Sequence, residues 1–201
     1  MIQKLLKEAI TDAANNIEKL SQDTKLHETF EQMIKMMVDC YKAGGGLFVA
    51  GNGGSAADAQ HFVAELVVKL SKDRDPLKAV ALTVDTSIIT AAGNDYSYDH
   101  IFSRQVEALM TSKDIFFGFT TSGNSPNILK CFEMAKKIGA KSILFTGKDG
   151  GVAVKEKMAD INIIVPGDNT ARIQEAHAIL YHTVCYCLEK RLIDDGFIKY
   201  R

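Results

Sequence analysis

Apolar positions along this chain follow two rhythms. Ile2, Leu5, Leu6, Ala9, Ile10, Ala13, Ile17 and Leu20 recur at helical spacing among charged residues, which predicts an amphipathic first helix. A second helix is expected from about His27 to Lys42, stopped by Gly44, Gly45 and Gly46. Beyond it, short unbroken apolar runs mark strands at Leu47 to Ala50, Ala79 to Val84, Ile115 to Phe119, Ser142 to Phe145 and Ile161 to Val165. Helical patterns separate them: Ala56 to Leu70, Phe102 to Met110, Ile128 to Ile138 and a long Ala171 to Leu192. Short buried strands alternating with helices predict an α/β fold, with a parallel sheet covered on both faces. The expected organisation is a helical extension over residues 1–45 and one α/β domain over 46–201. The apolar stripe of that extension must pack either on its own domain or on a partner subunit.

With 46% hydrophobic and 24% charged residues the composition is globular, and 201 residues suffice for one substantial core. A formal net charge of −1 gives no reason to expect a nucleic-acid or membrane surface. No apolar stretch approaches the roughly 20 residues that span a bilayer. The first twenty residues lack the unbroken apolar run of a signal peptide. Cys40, Cys131, Cys185 and Cys187 form no CxxC pair and sit in apolar helical contexts, so buried thiols in a reducing, cytoplasmic setting are expected.

In an open parallel sheet, ligands bind outside the carboxyl ends of the strands. The first strand ends in Gly51-Asn52-Gly53-Gly54-Ser55, where a helix start can bring free N–H groups to an anion. The letters also fit a dinucleotide-binding turn. The acid such a site needs about 20 residues on is missing, because the nearest candidate, Asp85, comes too late. The third strand ends in Thr120-Thr121-Ser122-Gly123-Asn124-Ser125-Pro126-Asn127. Ser125 alone would read as a helix cap. Four hydroxyls in six residues read better as an uncharged phosphate cradle. The fourth strand ends in Thr146-Gly147-Lys148-Asp149-Gly150-Gly151, and Gly93-Asn94-Asp95 reads as a turn able to hold sugar hydroxyls.

Two helices carry acid–base groups. His61 and Glu65 are four residues apart on one face, with Phe62, Val63, Leu66 and Val67 suggesting apolar surroundings. The last helix carries Gln174, His177 and His182, of which Gln174 and His182 share a side. Each histidine alone reads as a satisfied core residue. The four groups His61, Glu65, Gln174 and His182 could also ligate zinc or another divalent ion, which the spacing alone does not decide.

The segments GNGGSAADAQHFVAEL, TTSGNSPN, TGKDGG and TARIQEAH…H together resemble the phosphoheptose isomerases of the SIS (sugar isomerase) superfamily. The resemblance runs from the N-terminal helices through Leu192. It implies a single SIS domain, with a flavodoxin-like five-stranded parallel sheet flanked by helices. The implied activity is aldose–ketose isomerisation of sedoheptulose 7-phosphate to D-glycero-D-manno-heptose 7-phosphate, for heptose-containing surface polysaccharide. The resemblance also implies a zinc-dependent homotetramer with active sites shared between subunits. Carried over by position, Ser55, Thr120, Thr121, Ser122 and Ser125 would hold phosphate. Asn52, Gly53, Gly54, Asn94 and Asp95 would line the sugar. His61, Glu65, Gln174 and His182 would hold one zinc per subunit, and Glu65 with His182 would be the acid–base pair. Lys69 stands where arginine is common, Thr120 where serine is, and Ala171 where some members carry an acid. A non-catalytic SIS branch that binds the bacterial replication initiator protein is the alternative reading. It lacks the acid at Glu65 and the histidine at His182; the presence of both here favours the enzyme.

Overall fold

The computed structural model describes residues 1–201. Two long helices, α1 (Ile2–Gln22) and α2 (Thr24–Lys42), lead into the sheet. α2 begins three residues earlier than the pattern predicts because Asp23 caps it, its Oδ1 accepting from Leu26 N at 2.9 Å. There follow β1 (Leu47–Ala50), α3 (Gly54–Val67), β2 (Ala79–Ala81), α4 (Thr86–Asp95), α5 (Ser103–Leu109) and β3 (Ile115–Phe119). The chain continues through α6 (Pro126–Ile138), β4 (Lys141–Gly147), α7 (Gly151–Lys155), β5 (Ile161–Val165) and α8 (Thr170–Asp194). The five strands are all parallel in the order β2-β1-β3-β4-β5, the expected α/β sheet.

Strand side chains alternate between two cores. Leu47, Val49, Ile115, Phe117, Phe119, Ile143 and Phe145 pack beneath α2, α3 and α8. Phe48, Ala50, Phe116 and Leu144 face the other way, beneath α4, α5, α6 and α7. Period-two alternation thus supplies both faces of a doubly covered sheet. β2 is shorter than its apolar run because it is an edge strand with one partner, and Asp85 then caps α4. All four cysteines are free thiols, three of them buried and Cys187 partly so. No helix is long and apolar enough to cross a membrane.

α1 divides its loyalties. Near its C-terminal end, buried Asn16 donates to the carbonyls of Pro166 and Arg172 at 2.9 and 3.2 Å, and Leu20 joins the main core. Its first half leaves Ile2, Leu5, Leu6 and Ile10 exposed.

A buried guanidinium secures the end of α3. Arg74 Nη2 donates to Glu65 O at 2.8 Å, Nη1 donates to Leu66 O and Asp75 O at 2.9 Å, and Nε pairs with Glu189 of α8 at 3.2 Å. Helix ends leave their last carbonyls without intrahelical partners. Arg74 fills that role here with almost no exposure to water. Tyr200 completes the arrangement, donating to Glu189 Oε1 at 3.3 Å.

Candidate functional site

The strand order places β1 beside β3 at the point where the sheet's winding reverses. α3 leaves β1 on one face and α6 leaves β3 on the other, so the loops that follow these strands border a crevice.

In the loop after β3, the Ser125 hydroxyl occupies the N-cap position of α6 without bonding a helix N–H. It pairs instead with Thr120 Oγ1 at 3.0 Å. Simple capping therefore does not account for it. Ser122 Oγ accepts from Asn124 N at 3.2 Å, and Pro126 supplies the preset first helical residue. Gly123 has φ +67, and a Cβ there would overlap Gly150 O. The serine loop and the turn after β4 therefore lie against each other with no room for a side chain.

The loop after β1 is fixed by an amide pair that the sequence did not suggest. Asn52 Nδ2 donates to Asn127 Oδ1 and Asn127 Nδ2 donates to Asn52 Oδ1, both at 2.8 Å. Tyr98 Oη adds a donation to Asn52 Oδ1 at 3.2 Å. Asn52, expected to line the sugar, has its amide committed to joining the two loops. Gly53 and Gly54 are exposed at the start of α3, with Ser55 buried next to them. Gln174 of α8 donates Nε2 to Ser55 Oγ at 3.4 Å and occupies the space a Cβ on Gly54 would need, 2.5 Å away. This leaves Gln174 Oε1 as a free acceptor.

Further along α3 the acid–base groups converge. His61 Nε2 lies 3.1 Å from Glu65 Oε1, and the ring centroids of His61 and His182 are 4.9 Å apart. Ligand atoms of His61, Glu65 and His182 all lie within 4.8 Å of one another. The apolar surroundings expected for His61 and Glu65 require correction. Phe62 and Leu66 point into the core, Val67 is exposed, and the His61 side chain is half exposed. Sequence neighbours on a helix mostly occupy other faces, so they did not describe this one.

Two imidazoles and a carboxylate so placed fit a divalent ion. Donors about 2.0–2.2 Å from a tetrahedral zinc are a small side-chain adjustment from the spacing seen here. The second nitrogen of His61 is also engaged: Nδ1 is 3.0 Å from Tyr181 Oη. Burial pushes the Tyr181 phenol up to about 12, so it remains a hydroxyl. Sequence reasoning missed Tyr181, although it stands next to His182 and faces α3.

Asp58, one turn before His61, was also missed. Its Oδ2 is buried with no hydrogen-bond partner, and burial raises its carboxyl to about 6 against the opposing pull of His61. His177 is a core residue: buried, with Nε2 against Thr146 O at 3.3 Å, and held down to about 4 by desolvation.

Asn94 and Asp95 do not form a turn. They are the last residues of α4, exposed, with Asn94 Nδ2 donating to Asp95 Oδ1 at 2.8 Å. The helix was missed because Thr86, Ile88, Ile89 and Thr90 are β-branched and weak in helix propensity. No hydrogen bond joins either residue to the serine loop. Asp85, which comes too late in the chain to serve a dinucleotide-binding turn, is the cap of α4, with Oδ1 accepting from Ile88 N at 2.9 Å.

Residues 10–147 match the SIS domain family. The phosphoheptose isomerase of Sulfurimonas denitrificans is 44% identical over 195 residues, covering 97% of this chain and 99% of the relative. That of Citrifermentans bemidjiense is 49% identical over 172 residues, covering 86% and 88%. Among solved structures, phosphoheptose isomerase GmhA from Neisseria gonorrhoeae superposes with a TM-score of 0.87 at 37% identity, covering 94% of this chain and all of that one. A phosphoheptose isomerase from Francisella tularensis gives 0.85 at 39% identity, covering 92% and 98%. With the family match spanning residues 10–147 and relatives this similar along nearly their whole length, the chain belongs to the SIS-domain phosphoheptose isomerases.

Proposed function

We propose that the chain converts sedoheptulose 7-phosphate to D-glycero-D-manno-heptose 7-phosphate, supplying heptose for surface polysaccharide from the cytoplasm. The observation that carries this reading is the layout of α3. Ser55 and His61 are separated by six residues, about 9 Å along the helix axis. An open-chain seven-carbon sugar phosphate can bridge such a gap, with its phosphate at one end and its carbonyl at the other.

In this reading Ser55, Thr120, Thr121, Ser122 and Ser125 hold the phosphate through hydroxyls and the helix-start N–H groups. Gly53 and Gly54 let the sugar chain pass close to the backbone. Asn52 shapes the crevice through Asn127, and Asn94 and Asp95 belong to its sugar-binding rim. Glu65 takes the proton from C1 of the ketose and returns it to C2, passing through an enediol. His182 moves the second proton between the O1 and O2 atoms. A positioned acid or base contributes roughly 10²–10⁴-fold each. His61, Glu65, Gln174 and His182 would hold one zinc ion per chain, Gln174 through its free Oε1. When bound, zinc would supply polarisation of the carbonyl oxygen. The exposed apolar stripe of α1, part of the 1–45 extension, would be covered in a homotetramer.

The direct test is to incubate purified protein with sedoheptulose 7-phosphate and follow the aldose product. Glu65→Gln keeps size and hydrogen bonding but removes the base, so turnover should fall at least roughly a hundredfold with little change in KM. If Glu65 only packs helices, the variant would melt earlier yet turn over normally while folded, and the reading would fail.

A further inference from the structure

We propose that Tyr181 is the positioning residue of His61, its hydroxyl determining which imidazole nitrogen faces the metal. The inference rests on the metal reading above and adds a residue to it.

Tyr181 is 3% exposed, and its ring is wedged among Phe62 of α3, Phe119 of β3 and the neighbouring His182, with centroids 5.9, 6.2 and 4.6 Å away. Packing from three elements fixes where its hydroxyl sits. His61 is the opposite case, a half-exposed side chain at the surface of α3 whose ring could otherwise rotate. The two meet at 3.0 Å through Nδ1, which leaves Nε2 aimed at Glu65.

The chemistry of a neutral imidazole makes that contact selective. One ring nitrogen carries the proton and the other carries the lone pair. If Nε2 gives its lone pair to a metal, Nδ1 must hold the proton and needs an acceptor, which the Tyr181 oxygen supplies. Without metal, Nε2–H can donate to Glu65 and the phenol turns to donate to Nδ1. A hydroxyl does both because it is donor and acceptor at once. A partner on the far nitrogen fixes the orientation of a ligating histidine and raises its basicity, and removing one typically costs 10–100-fold in metal affinity.

Tyr181→Phe deletes one oxygen and keeps the packed ring. Zinc affinity is measured without turnover, by competition with a chromogenic chelator. The expected result is a 10–100-fold loss for Tyr181→Phe, none for Tyr186→Phe at an exposed tyrosine of the same helix, and nearly equal melting of the metal-free proteins. Equal zinc affinity in Tyr181→Phe and parent overturns the role of Tyr181 alone. Failure of the parent to bind zinc overturns this inference together with the metal set. A second measurement needs no variant. Long-range proton–nitrogen spectra of the zinc-loaded parent should show His61 bound through Nε2 with a slowly exchanging Nδ1 proton. Binding through Nδ1 would refute the assignment even if Tyr181→Phe proved unable to fold.

Discussion

Replacing Arg74 with methionine removes a charge that is almost wholly excluded from water. In the native protein its guanidinium answers Glu189 and the carbonyls of Glu65, Leu66 and Asp75. The side chains of Arg74 and Glu189 are 1% and 8% exposed, so solvent cannot take over either role without the helix end opening. Removing one member of such a buried pair typically costs about 3–5 kcal/mol, because the other charge is left uncompensated. For a chain of this size that corresponds to a melting shift of roughly 10 °C, at about 2–4 °C per kcal/mol. Urea denaturation at fixed protein concentration measures it. The double variant Arg74→Met, Glu189→Leu should recover a large part of the loss, since the stranded carboxylate is gone. Because the end of α3 carries Glu65, turnover of the folded single variant should fall more than its KM changes. A single variant within 1 kcal/mol of the parent would refute the account of Arg74 as an anchor.

Replacing Ser122 and Ser125 with alanine should raise KM for the phosphorylated heptulose, and the parent should use the unphosphorylated sugar poorly; equal affinity for both sugars would exclude the cradle. Asp58 and His177 pull stability in opposite directions between pH 7.5 and 5. The raised Asp58 carboxyl favours the fold as it protonates below about 6, an effect held to about 1 kcal/mol or less by partial exposure. The depressed His177 opposes it, because the unfolded imidazole protonates below 6.5 while the buried one waits until about 4, costing about 2 kcal/mol by pH 5. Metal-free Asp58→Asn should therefore gain stability at pH 7.5 and lose more than the parent on acidification; identical pH profiles in urea denaturation would contradict this. If the proposed homotetramer covers the exposed stripe of α1, Leu5→Glu with Leu6→Glu should shift the protein toward smaller species in sedimentation, and the same assembly in variant and parent would exclude the first half of α1 as an interface.

The sheet was legible because buried parallel strands are written as unbroken apolar runs, from Leu47 to Ala50 and from Ile115 to Phe119. α4 was not, because its Thr and Ile residues carry a strand-like composition and only Asp85, a cap one residue ahead of it, announces a helix. The His61–Glu65 pair followed from helical spacing, and the hydroxyls after β3 from their density. What joins separate segments could not be read locally. The Asn52–Asn127 pair spans 75 positions, His61–Tyr181 spans 120 and Arg74–Glu189 spans 115. Each brings together residues ordinary in their own neighbourhoods, and only the packing of α3 against α8, or of one loop against another, gives them a shared task.

The reciprocal amide pair between the first and third strand loops bears on how the protein ages. Asn52 is followed by Gly53, a sequence in which the unhindered backbone nitrogen can attack the side-chain amide, close a succinimide and release ammonia. Hydrolysis then leaves a carboxylate in place of the amide. Here that exchange would put an anionic oxygen opposite Asn127 Oδ1, where a donating N–H had been, beside the loops proposed to hold phosphate. A single spontaneous deamidation would therefore part the two loops and, in the proposed cradle, repel the phosphate as well. Holding the Asn52 amide in three hydrogen bonds keeps it from the turning motion that ring closure requires, so the bonds that shape the crevice also guard its chemical lifetime.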